Sequence, residues 1–271
     1  MPYWRSEDID FRTIVRSEVR GNRTIFLILV GSSFLETTSP LYTHNLITYY
    51  QNCEEVVDWL TRHWQLEEVE HGKAMKAYVN AVWPDFDWQR AYENFYLEFE
   101  PYCAPDRYQP GKALEMLARC VTESGAATFY KALRDSTKEP VLRDLLDRMQ
   151  RDEIRHYKYF LRFFRYFNEQ EKNTKVGILI TMLRRGMRVH GEDIFIACKY
   201  AYEGWNGCHV FTPALYRRAV SEIKRLAGKY YPYQQAIKML IRPLESSKSS
   251  RNVSGVGSGT GTESERVRGQ G

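Results

Sequence analysis

Two short stretches decide the reading of this chain: Trp64-Gln65-Leu66-Glu67-Glu68-Val69-Glu70-His71-Gly72 and Arg151-Asp152-Glu153-Ile154-Arg155-His156. Each holds Glu-x-x-His with another acid just before it. On a helix, residues i and i+3 share a face, so Glu68 and His71 converge on one point, as do Glu153 and His156. Charged helices produce one such pair by chance. The distinguishing feature is a lone glutamate upstream of each pair: Glu36 precedes Glu68 by 32 residues, and Glu123 precedes Glu153 by 30. Both lie among apolar or small residues, in Phe34-Leu35-Glu36-Thr37 and Val121-Thr122-Glu123-Ser124-Gly125-Ala126-Ala127. A core-facing carboxylate is costly unless it binds something.

The chain therefore reads as two helical hairpins, each offering Glu and then Glu-x-x-His. That is the ligand set of di-iron and di-manganese four-helix bundles. Four carboxylates also neutralise two divalent ions, as a low-dielectric core requires. Oxygen and imidazole donors without thiolate suit iron, with manganese as the other candidate, over copper(I) or structural zinc. The expected ligands are Glu36, Glu68, His71, Glu123, Glu153 and His156. A metal-bound imidazole commonly donates its second N–H to a carboxylate, so Asp152 is expected to orient His71 and Glu67 to orient His156. The competing reading is a bundle with buried salt bridges, in which Arg119, Arg148 and Arg155 pair with these acids.

Outward from the motifs, glycine and proline are sparse between about residues 23 and 243, and apolar residues recur at helical spacing. The pattern predicts helices over Thr24–Tyr50 with a break at Pro40, Cys53–Ala81, Trp88–Phe99, Gly111–Arg134, Lys138–Phe167, Lys175–Trp205, Thr212–Leu226 and Tyr233–Ile241. No stretch alternates with period two, so the class is all-α: a ferritin-like four-helix bundle with additional C-terminal helices. Residues 1–22 form an N-terminal extension, 23–243 the helical domain, and 244–271 a Ser/Gly-rich tail expected to be disordered. Pro40 lies four residues after Glu36 and cannot donate to its carbonyl, so the helix is expected to kink or loosen at that ligand.

Apolar residues at 43% and aromatics at 14% exclude a disordered or collagenous chain. Five cysteines (Cys53, Cys103, Cys120, Cys198 and Cys208) without C-x-x-C argue against a disulfide framework or zinc ribbon and for a reducing compartment. The apolar runs Ile25–Val30 and Gly177–Leu183 are short for a bilayer span, and no secretion signal opens the chain; the expectation is a cytoplasmic protein with no membrane partner.

Leu35-Glu36-Thr37-Thr38-Ser39-Pro40-Leu41-Tyr42, Trp64 through Gly72, Glu123 through Phe129, and Asp152 through His156 together resemble the soluble acyl-(acyl carrier protein) desaturases of the ferritin-like di-iron superfamily. The resemblance covers roughly residues 24 to 165. Val69-Glu70 stands where that family has Asn-Arg, and Ala126 stands where it has a threonine, the nearest downstream hydroxyl being Thr128. The resemblance implies two iron ions bridged by Glu68 and Glu153, with Trp64 beside the ligands. It implies O₂-dependent removal of hydrogen from an acyl chain, a homodimer, and electrons from a ferredoxin-type donor. A hydroxylase or amine N-oxygenase acting on a small molecule shares the same ligands. A ferroxidase without organic substrate is the further alternative.

Charge is uneven along the chain. From Lys172 to Arg242 there are 13 Lys+Arg and 4 Asp+Glu, a net of +9. A basic face suits acidic partners such as acyl carrier protein or ferredoxin. Nucleic acid is not expected as a partner, because the overall charge of +5 is mild.

Overall fold

The computed structural model describes residues 3–104, 108–188, 191–206 and 210–245. The tail expected to be disordered lies outside them from residue 246 on, as does Cys208, while Leu244 ends a short 3-10 turn. The described residues are all-α, with no strand among them.

Helix α1 (Arg23–Thr37) starts on an Asn22 cap, whose side chain accepts the Ile25 N–H. The break near Pro40 falls two residues earlier than the proline itself. α1 ends at Thr37 and α2 (Ser39–Tyr49) begins directly after Thr38. Pro40 has no N–H for the Glu36 carbonyl and suits a first helical turn, so the chain restarts a helix there. The segment expected as one helix over Cys53–Ala81 is three: α3 (Glu54–Trp59), a π turn over Leu60–Trp64, and α4 (Gln65–Val82). The π turn inserts an extra residue per turn just before Glu67 and Glu68 and so re-aims both carboxylates.

α5 (Trp88–Phe99) packs on α1, with the Trp88 indole N–H bonded to Ser33. α6 (Lys112–Ser136) and α7 (Pro140–Glu171) form an antiparallel hairpin with a short connection. Glu139 builds that corner. Its fully buried carboxylate accepts the N–H groups of Val141 and Leu142, the Tyr78 hydroxyl and the Val15 N–H. The helix expected over Lys175–Trp205 is two, α8 (Lys175–Arg188) and α9 (Glu192–Asn206). Glu192 and Asp193 in the first turn of α9 favour a new N-terminus there. α10 (Pro213–Gly228) and α11 (Tyr233–Ile241) complete the fold.

Two apolar cores result. One joins α1, the second half of α4, α5, α9 and the start of α7 through Phe34, Tyr78, Trp83 and Phe95. The other joins α2, α3, the first half of α6 and the second half of α7 through Leu46, Trp59, Trp64 and Phe160. By length and composition the stretch Arg23–Tyr49, 27 residues, is apolar enough to cross a membrane, longer than the short runs read from the sequence. In this fold 61% of its most apolar 18-residue window is buried, as in a core helix.

The N-terminal extension is not a free arm. Three short 3-10 turns carry it along α4, where Ser6 N–H donates to Glu70 at 2.8 Å and the Arg16 guanidinium to the Ala81 carbonyl at 2.7 Å.

Gly72 sets the approach of α4 to α1. A Cβ there would lie 2.8 Å from Thr37 N and 2.9 Å from Thr37 Cα, both backbone atoms that cannot swing away. Gly125 on α6 faces open space. Gly72→Ala is expected to destabilise by about 2 kcal/mol or more, and Gly125→Ala to stabilise by about 0.5–1 kcal/mol, in urea melts. Equal effects of the two would contradict this packing.

Candidate metal centre

The six residues singled out by the motifs converge between the two cores, contributed by four helices. Glu36 closes α1, Glu68 and His71 open α4, Glu123 lies midway along α6, and Glu153 with His156 midway along α7. Each is at most 8% exposed. They form two overlapping groups, Glu36–Glu68–His71–Glu153 and Glu68–Glu123–Glu153–His156, each with donor atoms within 4.8 Å of one another.

The geometry has near-twofold regularity. His71 Nδ1 faces Glu153 at 3.4 Å, Glu36 at 3.7 Å and Glu68 at 3.9 Å. His156 Nδ1 faces Glu68 at 3.1 Å, Glu153 at 3.4 Å and Glu123 at 3.6 Å. Glu68 and Glu153 thus stand between the two imidazoles, while Glu36 and Glu123 each serve one side. Both Nδ1 atoms are buried and lack a well-formed hydrogen bond among the described residues. Two orphaned imidazole nitrogens, each ringed by carboxylate oxygens, fit a pair of divalent cations with oxygen and nitrogen preference.

The opposite ring nitrogens are tied down. His71 Nε2 meets Asp152 at 3.1 Å, and His156 Nε2 meets Glu67 at 2.7 Å. Arg155 joins these two acids, at 2.6 Å from Asp152 and 2.8 Å from Glu67. The result is a continuous belt from His71 through Asp152, Arg155 and Glu67 to His156. Trp64 is buried edge-on against His156 at a centroid distance of 6.4 Å.

The salt-bridge reading of the cluster meets a different arrangement. Arg119 pairs with Glu115, Arg148 with Asp144, and Arg155 with the belt acids. Among the described residues no lysine or arginine pairs with Glu36, Glu68, Glu123 or Glu153.

Three contacts lay beyond sequence reasoning. Trp4, from the extension, donates its indole N–H to Asp152 at 2.6 Å and stacks on His71 at 5.8 Å. Tyr130 donates its hydroxyl to Glu36 from about two turns beyond Glu123 on α6. Its spacing of seven from Glu123 was a usable signal, since two helical turns return to one face. Nothing local marks Trp4. Thr128 does not reach the cluster; its hydroxyl bonds back to Ser124 and Gly125 and meets Tyr231 at 3.1 Å.

A groove of about 840 Å³ runs along α6, α7 and α11, lined by Ile154, Tyr157, Tyr231 and Met239 with Lys131 and Lys158. Ile154 follows Glu153 directly, and Tyr231 leads to Thr128, five residues past Glu123.

Burial, then the charge of neighbouring Glu153, pushes Glu68 and Glu123 well above the usual carboxylate range. Burial opposes ionisation of Glu153 too, but close polar contact with Glu123 and with the two imidazoles holds it low. Burial favours neutral imidazoles, yet the surrounding carboxylates outweigh it and raise both His71 and His156. The metal-free cluster therefore has a raised affinity for protons at Glu68, Glu123, His71 and His156.

Comparison with protein-family profiles and with curated proteins returned no match to this chain.

Divalent cations compete with protons at Glu68, Glu123, His71 and His156, whose proton affinities are raised. Calorimetry in buffers of different ionisation enthalpy is therefore expected to show proton release on Fe(II) or Mn(II) binding, with affinity falling as pH is lowered. Binding without proton release would contradict the raised proton affinities. Asp152→Asn is expected to weaken metal affinity by about 10–100-fold. Glu123→Ala is expected to reduce retained metal below two ions per chain while raising the melting temperature of the metal-free protein, because one buried carboxylate is gone. Unchanged metal content in Glu123→Ala would remove it from the ligand set.

Proposed function

We propose that this protein is a ferritin-like di-iron oxidoreductase that uses O₂ to oxidise an acyl chain, with desaturation of a carrier-bound acyl group as the reaction. The observation that carries the reading is the pair of buried ligand groups sharing Glu68 and Glu153, with no lysine or arginine counter-charge among the described residues. Glu36, Glu68, His71 and Glu153 would hold one ion, and Glu68, Glu123, Glu153 and His156 the other. Two iron ions so held supply oxidation of an unactivated C–H bond by O₂.

The chain's own residues set the conditions. Asp152 and Glu67 fix the two imidazoles so that both Nδ1 atoms point inward. His156 and His71 first, and Arg155 after them, hold Glu67 and Asp152 below the usual carboxylate range against the opposing effect of burial, and Arg155 bridges the two acids. The Tyr130 hydroxyl holds one oxygen of Glu36. Apolar packing from Trp59, Trp64 and Phe160 on one side and Phe34 and Tyr78 on the other excludes water. The groove beside Ile154 and Tyr231 gives an acyl chain an approach along α6 and α7.

Removing two hydrogens supplies two electrons, and reducing O₂ to two waters consumes four. Two more must come from a donor, which we place with a ferredoxin-type protein. No flavin or nicotinamide fingerprint occurs in the sequence to supply them internally.

A hydroxylase is the second reading, and one observation favours it. Ala126 offers no hydroxyl, and Thr128 is engaged by its own helix and Tyr231.

The test is anaerobic loading with Fe(II), then a reducing system, O₂ and a set of acyl carrier protein thioesters, with the acyl groups weighed by mass spectrometry. Loss of two hydrogens is the expected outcome. Gain of one oxygen would move the protein to the hydroxylases. An O₂-reactive iron centre that leaves every thioester unchanged would overturn the acyl substrate.

A further inference from the structure

Helix α8 is apolar on two faces. Ile178, Thr181 and Met182 are buried, with Arg185 turned toward the same side, its guanidinium on Thr122 of α6 at 3.0 Å. Val176, Leu179, Ile180, Leu183 and Met187 are exposed, from 42% for Ile180 to 72% for Met187. At 3.6 residues per turn these five fall within an arc of about 100°, opposite the packed face. Lys175 borders one edge of the arc and Arg184 the other, both exposed.

α11 repeats the arrangement. Ala236 and Met239 are buried, while Tyr233, Ile237, Leu240 and Ile241 are exposed and Lys238 lies beside them. Both helices pack on α6, and both meet the turn at Arg242–Leu244. No acid occurs from Lys172 to Gly191, which holds Lys172, Lys175, Arg184, Arg185 and Arg188. None occurs from Ile223 to Leu244, which holds Lys224, Arg225, Lys229, Lys238 and Arg242. Lys175, Arg184 and Lys238 have no ion-pair partner among the described residues.

We infer that α8 and α11 dock the protein on an anionic lipid bilayer, their apolar stripes entering the interface and their cations meeting acidic headgroups. An apolar centre with basic edges and no acid is the pattern of an interfacial helix. A second copy of the chain is a poor occupant, because two such faces would set Lys175, Arg184 and Lys238 against their like. The chain's own tail is another poor one. Residues 246–271 offer only Val253, Val256 and Val267 as apolar side chains, and carry four cations against two acids. This docking departs from the expectation of no membrane partner. It concerns a surface of the fold and stands independently of the metal centre.

The test is co-sedimentation of the full chain with phosphatidylcholine vesicles, with and without phosphatidylglycerol, reading circular dichroism and native mass alongside. The expected result is binding to the phosphatidylglycerol vesicles, at least tenfold weaker on phosphatidylcholine alone. Leu183→Glu with Met187→Glu is expected to reduce it at least tenfold with the melting curve unchanged. Lys175→Glu with Arg184→Glu is expected to remove the preference for phosphatidylglycerol. The inference is overturned if the chain ignores anionic vesicles, or if the Leu183/Met187 variant binds as before. It is equally overturned if that variant turns a dimer into monomer without changing vesicle binding, or if the face captures acyl carrier protein and not lipid.

Discussion

Four carboxylates buried around two imidazoles, with no lysine or arginine paired with them among the described residues, are the constraint on which the rest of this structure depends. Such a cluster is electrostatically unfavourable when fully ionised in a low-dielectric interior. The protein accommodates it in two ways. The proton affinities of Glu68, Glu123 and both histidines are raised. The Arg155 guanidinium pairs with the outer acids Asp152 and Glu67, and among the described residues the inner four have no lysine or arginine partner. A fold selected for salt-bridge stability would place that charge inward. Leaving the inner side to a bound cation is the economical explanation of why the arginine points outward.

Helix distortions then deliver the ligands to that point. The restart after Thr38 follows Glu36 by two residues, and the π turn at Leu60–Trp64 ends three residues before Glu67. Gly72 lets α4 lie against the backbone of Thr37 and so brings His71 to Glu36. Each irregularity lies within a turn or so of a ligand, where regular α geometry is relaxed to aim a side chain. The cores on either side carry the stability that pays for these departures.

Much of this was legible in the sequence, and the boundary is physical. Helices show as a 3.6-residue period, so α5 and α11 read with their observed limits, and the i, i+3 spacing put Glu68 with His71 and Glu153 with His156. The matching intervals from Glu36 and Glu123 gave the remaining pair. What could not be read were contacts that no local pattern encodes. Trp4 reaches Asp152 across 148 residues, in a segment of short 3-10 turns without periodicity. The π turn is a one-residue insertion inside an otherwise continuous helical pattern, and the break before Glu192 interrupts a stretch that is apolar on both sides. Arg155 was visible only as a charge; its service to two acids at once needs α4 and α7 in register.

The α6–α7 hairpin ties the buried centre to the outer surface. Its inner faces supply Glu123, Glu153 and His156, and its outer faces support α8 and α11, where cations and exposed apolar side chains gather. Acidic charge is thus concentrated inside and basic charge outside the same two helices. The separation has a direct electrostatic sense, since cations placed on the far side of α6 do not compete with metal for the carboxylates. It also has a chemical one. Under the proposed acyl oxidation, the substrate would have an apolar tail and a polar head, and a groove bordered by α11 opens beside the very helix that carries Glu153. A surface able to rest on acidic headgroups at that border would shorten the path of the tail from lipid or carrier to the metal ligands.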